Sequence, residues 1–172
     1  TLPMDRYDPR DLTRALEAAA QAGYPTVFVD SLSHFWTGTD GTLQQVEKAK
    51  ERYGGNKFAG WKDATPLQND MVAAILAYPG HVVCSMRSYT EWVLENGKPK
   101  RVGMRPEQRK GIEYEFDVAV AMDLDNRLEV LKSRCPSLSR KVIEKPNGAR
   151  DIAVPLLAWL AAEPAADPIE QN

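Results

Sequence analysis

The stretch TVFVDSLSHFW, residues 26–36, decides the fold class. Its apolar run Val27-Phe28-Val29 is short and uninterrupted, which is the pattern of a parallel strand covered on both faces. The run ends on Asp30, so this strand would present a carboxylate at its C-terminal end, where α/β sheets bind ligands. The stretch therefore predicts an α/β fold with a candidate site at that edge of the sheet.

The segments on either side of this strand predict helices. Asp8-Pro9 is typical of a helix start, and apolar residues at helical spacing predict a helix over 9–22. A second helix is predicted over 41–53, and a third from Thr65-Pro66 to Pro79-Gly80. The run 81–86 then predicts another apolar strand. This order favours a parallel sheet with crossover connections.

The chain after Arg87 predicts antiparallel pairing. Asn96-Gly97 joins segments 91–95 and 98–102 and is a strong hairpin signal. Segments 116–122 and 127–132 predict a second hairpin, 141–145 a further short strand, and 152–160 a helix with Pro155 in its first turn or at a kink. A mixed sheet follows, with parallel strands first and antiparallel hairpin strands after them.

Composition limits the class of protein. With 172 residues and 43% hydrophobic content, one domain over 1–162 is expected, followed by a disordered tail over 163–172. The net charge of −2 gives no general attraction to nucleic acid or to an anionic membrane. Cys84 and Cys135 have no metal or disulfide spacing, and no apolar run is long enough to span a membrane. We therefore expect a cytoplasmic protein with no membrane partner.

Candidate site residues follow the two predicted parallel strands. Asp30 could hold Mg²⁺ through water, with Ser31 beside it tuning that contact, and Arg87 could sense a terminal phosphate. Lys132 and Arg134 lie two apart on a predicted strand, so both could reach a triphosphate from one face. Each pattern taken singly also fits ordinary polar residues at a strand end or a solvated edge strand.

Four segments in this order resemble the later part of a RecA-like ATPase core. They are VFVDS (27–31), HVVCSMR (81–87), YEFDVAVAMD (114–123) and LKSRCPSL (131–138). More closely, the chain resembles phage-type RecA/RadA-like ATPases of the AAA-domain class, which are linked to single-strand annealing recombination. The run 58–83 is also similar to that group, and the resemblance spans residues 24–160.

The resemblance implies a three-layer RecA-like core that binds ATP and Mg²⁺. Asp30 occupies the Walker B position, the strand before Arg87 carries the sensor, and Lys132 and Arg134 correspond to cations that reach the nucleotide of an adjacent subunit. A homo-oligomer, as a ring or a filament, is therefore implied. No G-x-x-x-x-G-K-[ST] sequence occurs in the chain, so the resemblance lacks the N-terminal phosphate-loop strand and the catalytic glutamate after it. The asparagine and Phe-Gly of the RadA element are replaced here by the order Lys-Ser-Arg-Cys-Pro.

A basic segment lies where RecA-like proteins place DNA-contacting loops. It holds six cations within residues 98–110, and Trp92 offers a ring on which a base could stack. The cations are Lys98, Lys100, Arg101, Arg105, Arg109 and Lys110. They predict a salt-sensitive contact with single-stranded DNA, whereas a solvated mobile loop is the alternative.

Three functions compete. The first is the ATPase core, and the second is a non-catalytic module that binds single-stranded DNA or supports assembly. The third is a metal-dependent nuclease that would use Asp30, Glu129 and Lys132. Strict strand alternation argues against the nuclease, because residues three apart point to opposite faces.

Overall fold

A computed structural model of the chain describes residues 1–95 and 97–162, which fall into two units, Thr1–Glu115 and the residues from Phe116 onward. The first unit carries helices α1 (Pro9–Gln21), α2 (His34–Thr37), α3 (Thr42–Arg52) and α4 (Lys57–Leu76). The predicted helices over 9–22 and 41–53 are confirmed as α1 and α3. Asp8 caps α1, because its Oδ1 accepts the backbone N–H of Arg10 at 3.0 Å.

Helix α4 begins nine residues earlier than predicted. Asn56 caps it, with its side-chain oxygen accepting the N–H groups of Phe58 at 3.0 Å and Ala59 at 3.3 Å. Pro66 is exposed in the interior of the helix and does not start it. The predicted start at Thr65-Pro66 is wrong because a buried stripe runs along the whole helix and outweighs the one hydrogen bond that proline removes. The stripe consists of Gly60, Ala64, Gln68, Met71 and Ile75.

Strands β1 (Thr26–Val29) and β2 (His81–Cys84) form a two-stranded parallel sheet, as predicted. The prediction that both faces are covered is wrong. Phe28 is 74% exposed, and its register partner Val83 is 47% exposed, whereas Val29 on the opposite face is buried. The described residues cover one face of this sheet, and an apolar run by itself does not tell one covered face from two.

The polar segment after Arg87 is a two-stranded ribbon of β3 (Ser88–Glu95) and β4 (Lys98–Pro106). Its antiparallel pairing confirms the predicted hairpin, and the strands are longer than predicted. Asn96, in the predicted turn, lies outside the described residues, and Gly97 has the positive φ of 76° that such a turn requires.

The second unit contains β5 (Val118–Met122), β6 (Arg127–Ser133) and β7 (Val142–Glu144) in an antiparallel sheet of that order. A π-helical segment, Gly148–Ala153, leads into α5 (Val154–Ala161), and Pro155 lies in the first turn of α5, which is the first of the two predicted alternatives. The tail over 163–172 lies outside the described residues.

The α/β prediction with both kinds of strand pairing is confirmed, but the described strands form three sheets and not one mixed sheet. The prediction of one domain over 1–162 stays a prediction. Each unit has buried apolar side chains of its own. They include Leu16, Val46 and Met71 in the first unit, and Leu128, Val130 and Leu138 in the second.

Candidate functional site

The carboxyl ends of β1 and β2 lie level with one another, because Val29 pairs with Cys84. The next residue of each strand therefore reaches the same edge, and Ser85 Oγ donates a hydrogen bond to Asp30 Oδ1 at 2.5 Å. Both side chains are exposed. The structure thus brings Asp30 to the edge predicted from sequence and adds Ser85 as its partner. The polar run after β2 was the sequence signal for Ser85, but nothing in it singled out that serine.

Ser31 is held by the turn that follows Asp30. The Asp30-Ser31 peptide is cis, and Ser31 is buried. Its Oγ lies 3.0 Å from Nδ1 of His34, whose ring stacks on Tyr7 with the ring centroids 4.7 Å apart. His34 therefore packs and hydrogen-bonds within the turn. The Ser31 hydroxyl, which is predicted to tune the contact between Asp30 and Mg²⁺, is held in place by His34.

Arg87 lies at the same edge, three residues after β2. Its Nε is 3.0 Å from a carboxylate oxygen of Glu107, and its Nη2 donates to Thr37 Oγ1 at 3.3 Å. Its backbone N–H donates to Ser33 Oγ at 2.9 Å. The guanidinium of Arg87, the predicted phosphate sensor, is therefore already paired with the Glu107 carboxylate. An incoming phosphate would compete with Glu107 for this guanidinium.

The donor set at this edge suits Mg²⁺ held partly by water. Among the described residues, no three His, Cys, Asp or Glu side chains are grouped closely enough to hold a metal ion. A magnesium ion that also binds a nucleotide commonly takes one or two protein carboxylates, with water and phosphate oxygens completing its shell. Asp30, oriented by the Ser85 hydroxyl, fits that role.

Lys132 and Arg134 belong to the second unit: Lys132 lies in β6 next to a bulge, and Arg134 directly follows the end of that strand. Val120 pairs with Val130 but Ala119 pairs with Lys132, so Leu131 is an extra residue in β6. The Lys132 ammonium donates to the carbonyl oxygen of Phe116. Arg134 donates its backbone N–H to the Asp117 carbonyl at 2.7 Å and its Nη1 to Asp117 Oδ1 at 3.0 Å. Both cations therefore contact the segment 116–117 that leads into β5.

The bulge also changes which faces of β6 Glu129 and Lys132 occupy, and the argument against a nuclease depended on those faces. Glu129 pairs with Ala121 and Lys132 with Ala119. Residues two apart share a face of β5, and directly paired residues share a face of the sheet, so Glu129 and Lys132 lie on one face. The sequence argument that they point apart is wrong, because it assumed a regular strand.

The basic segment lies largely on β4 and just after it. Lys98 and Lys110 are exposed. Arg105 is paired with Glu91 across the ribbon, and this bond raises the pKa of the guanidinium above its usual value. Arg109 Nη1 donates to Asn69 Oδ1 at 2.6 Å. The side chains of Trp92, Lys100 and Arg101 lie outside the described part of the structure, so their DNA roles stay predictions.

Cys84 lies within β2, directly before Ser85. Burial raises the pKa of its thiol to about 12, so the thiol stays protonated at neutral pH. Cys84 therefore lacks the lowered thiol pKa that activates a nucleophilic cysteine.

A family model described as an AAA domain matches residues 5–144. Searches of curated proteins and of solved structures return nothing that matches. Across residues 1–95 and 97–162, no helix has the length and apolar character needed to cross a membrane.

Proposed function

Because the chain belongs to the AAA domain family, whose members are ATPase-like nucleotide-binding modules, we propose that it contributes the magnesium side of an ATP site in a RecA-like motor. The motor hydrolyses ATP at interfaces between identical subunits and acts on single-stranded DNA in recombination, repair or replication. The observation that carries this proposal is the Asp30 carboxylate at the carboxyl end of β1, hydrogen-bonded to Ser85 of the parallel neighbour at 2.5 Å.

Asp30 would hold Mg²⁺ through its water shell, and Ser85 would orient the carboxylate. A bound Mg²⁺ would supply positive charge that neutralises the phosphates. Arg87 would meet the terminal phosphate from the same edge, exchanging its contact with Glu107 for the more highly charged phosphate. The side chains of Arg87 and Glu107 are 55% and 35% exposed, and a partly exposed ion pair of this kind contributes little stability, so exchanging one anion for another costs little.

Lys132 and Arg134 would face the nucleotide of a neighbouring subunit. Arg134 and Asp117 are each 53% exposed, and an exposed ion pair of this kind contributes little stability. The guanidinium can therefore be given up to a phosphate at small cost. Two cations aimed at the transferring phosphoryl group would stabilise the charge that spreads over its oxygens.

The ribbon of β3 and β4 would contact the DNA. Its cations provide phosphate contacts, and Trp92 would provide a ring for base stacking. Arg105 is already neutralised by Glu91, so we expect the exposed Lys98 and Lys110 to contribute more to DNA affinity than Arg105 does.

The test is magnesium-dependent nucleotide binding by the purified chain, with Asp30→Asn as the variant and Asp70→Asn as the matched control. Both replace an exposed aspartate, and Asp70 lies on α4. We expect Asp30→Asn to weaken Mg·ATP binding at least tenfold, about 1.4 kcal/mol, and to leave magnesium-free ATP binding unchanged. Asp70→Asn should behave as the unaltered protein. Equal Mg·ATP affinity in both variants would remove Asp30 from the site.

A second measurement addresses the shared site. In an intact protein that also supplies the phosphate loop, phosphate release per subunit should rise with protein concentration, and Lys132→Ala or Arg134→Ala should abolish it without reducing Mg·ATP binding. Turnover at the normal rate in either variant would contradict a site completed by a neighbouring subunit.

The alternative function is a non-catalytic module that binds single-stranded DNA. Two observations favour it: the exposed cations of the ribbon, and the lack of a G-x-x-x-x-G-K-[ST] sequence in the chain. It predicts that the chain binds oligo(dT) with a steep salt dependence while ATP does not bind, with or without Mg²⁺. The nuclease function predicts magnesium-dependent cleavage of DNA by the same preparation.

A further inference from the structure

We propose that the buried amides of Gln68 and Gln108 are positioning residues that fix the turn after Asp30 to the base of the β3–β4 ribbon. Through them, a ligand bound to the ribbon alters the candidate nucleotide site, and a nucleotide there alters the ribbon. The proposal rests on the proposed function only in taking single-stranded DNA as the ligand of the ribbon.

A continuous chain of buried hydrogen bonds makes this connection. Thr42 Oγ1 donates to Gln68 Oε1 at 2.7 Å, and Gln68 Nε2 donates to Gln108 Oε1 at 3.0 Å. Gln108 Nε2 then donates to the carbonyl oxygen of Leu32 at 3.1 Å. Thr42, Gln68 and Gln108 are 0%, 1% and 6% exposed. The chain thus runs from the start of α3, through α4, to the second residue after Asp30.

Both ends of the ribbon are attached to this turn. Gln108 follows β4 by two residues and holds Leu32, while Arg87 directly precedes β3 and donates its backbone N–H to Ser33 Oγ at 2.9 Å. The two ends are also tied together, because the Glu107 N–H donates to the Arg87 carbonyl at 2.6 Å. The residues at the base of the ribbon therefore hydrogen-bond to two consecutive residues of the turn, Leu32 and Ser33.

The chemistry of the link favours a role in positioning. Burying an amide costs free energy unless its donors and acceptors are paired, and a leucine of similar size would avoid that cost. No buried side-chain nitrogen or oxygen of the described residues lacks a partner, so the network is satisfied. A satisfied buried network has directional bonds and permits one arrangement, whereas apolar side chains tolerate sliding. A displacement of the ribbon base is therefore carried to Leu32 and on to Asp30.

The test uses hydrogen–deuterium exchange of the full chain, with and without oligo(dT). The key variant is the double replacement Gln68→Leu/Gln108→Leu, which removes both amides together. In this variant the Thr42 hydroxyl can turn to donate to the Phe35 carbonyl, 3.1 Å away, and the Leu32 carbonyl still accepts the Phe35 N–H at 3.1 Å. The Arg109 N–H, which donates to Gln108 Oε1 at 2.8 Å, loses that acceptor, and Arg109 is an exposed residue. The control is Gln45→Leu, which loses side-chain bonds to Asp8 and the Asp40 carbonyl in the same unit.

In the unaltered protein and in the Gln45 control, oligo(dT) should slow amide exchange severalfold over residues 31–37 as well as on the ribbon. The double variant should bind oligo(dT) with unchanged affinity and protect the ribbon, but lose the effect at 31–37. The proposal is overturned if oligo(dT) protects the ribbon of the unaltered protein while residues 31–37 do not respond, or if residues 31–37 respond equally in the double variant.

A second arm needs no DNA and separates this proposal from the proposed function. Arg105→Ala breaks the pair with Glu91 on the ribbon. We expect it to change exchange at 31–37 severalfold in the unaltered background and not in the Gln68→Leu/Gln108→Leu background, which is a double-mutant cycle for the link. Equal responses, or none, in the two backgrounds would overturn the link. Failure of oligo(dT) to bind would instead count against the DNA role of the ribbon.

Discussion

At the scale of single residues, Asp40 has the clearest electrostatic consequence. It has a φ of 64°, and its carboxylate is only 9% exposed and paired with both Lys48 and Arg6. The Lys48 ammonium, and after it Arg6, hold the pKa of this carboxyl below its usual value. The pairing attaches the N-terminal segment to α3.

Asp40→Asn should therefore lower stability in a pH-dependent way. A carboxyl with a lowered folded-state pKa contributes stability above its unfolded pKa of about 3.9 and loses it as the pH falls through the folded value. We expect the variant to be less stable at neutral pH and the gap to close below about pH 4. Urea unfolding at several pH values measures this, with Asp70→Asn as control, and a gap of constant size would contradict it.

Ser85 provides a second test at this scale, one that separates positioning from folding. Ser85→Ala removes the hydroxyl that donates to Asp30, and because both groups are exposed we expect a stability change within about 0.5 kcal/mol. Mg·ATP affinity should fall severalfold, since the carboxylate loses its orienting partner. Titration calorimetry measures the affinity, and Ser88→Ala, at another exposed serine, should leave it unchanged. A large loss of stability would show that Ser85 has a structural role.

At the scale of elements, Gly60 decides how closely α4 approaches α3. A Cβ at this position would lie 2.5 Å from the Val46 carbonyl oxygen and 3.1 Å from the Lys50 backbone nitrogen. In an open helix, alanine would be favoured over glycine by up to about 1 kcal/mol. Here the added methyl would force the two backbones apart.

Gly60→Ala should therefore destabilise the protein by about 1–3 kcal/mol, against its helix propensity. Gly148→Ala is the matched control, because a Cβ there meets nothing within 4 Å and the backbone has no positive φ. Chemical denaturation compares the two variants. An unchanged or raised unfolding free energy for Gly60→Ala would mean that α3 and α4 do not pack this closely.

At the scale of the whole molecule, the net charge of −2 shapes the expected DNA binding. A nearly neutral protein gains no general attraction to DNA, so the salt dependence must come from the cations that touch phosphates. Lys98→Ala should weaken oligo(dT) binding and reduce the slope of log K against log salt by about 0.7. Lys62→Ala, which removes an exposed cation from α4, should leave that slope unchanged. Equal slopes for both variants would argue against a DNA contact at Lys98.

Much of the local structure was predictable from sequence. The errors arose where tertiary packing or a local irregularity overrode a regular sequence pattern. The Asn96-Gly97 hairpin signal and the Asp8-Pro9 helix start act over a few residues, so the predicted strand pairing and the predicted helix start both hold. Pro66 misled because a stripe of buried residues on α4 outweighs one proline. The faces of Glu129 and Lys132 were misjudged because the β6 bulge is an irregularity that strict alternation cannot register.

By itself, the sequence determined the α/β class, the main elements and the position of Asp30 at the end of an apolar strand, since local periodicity and turn residues carry that information. Only the tertiary structure decided that Ser85 is the partner of Asp30, that Phe28 lies on an uncovered face, and that Gln68 and Gln108 meet. These contacts join residues 40 and 55 positions apart in the two hydrogen-bonded pairs. Such contacts form only when distant segments pack together. No local pattern in the chain encodes which distant side chains will meet in the interior or at the level ends of two strands.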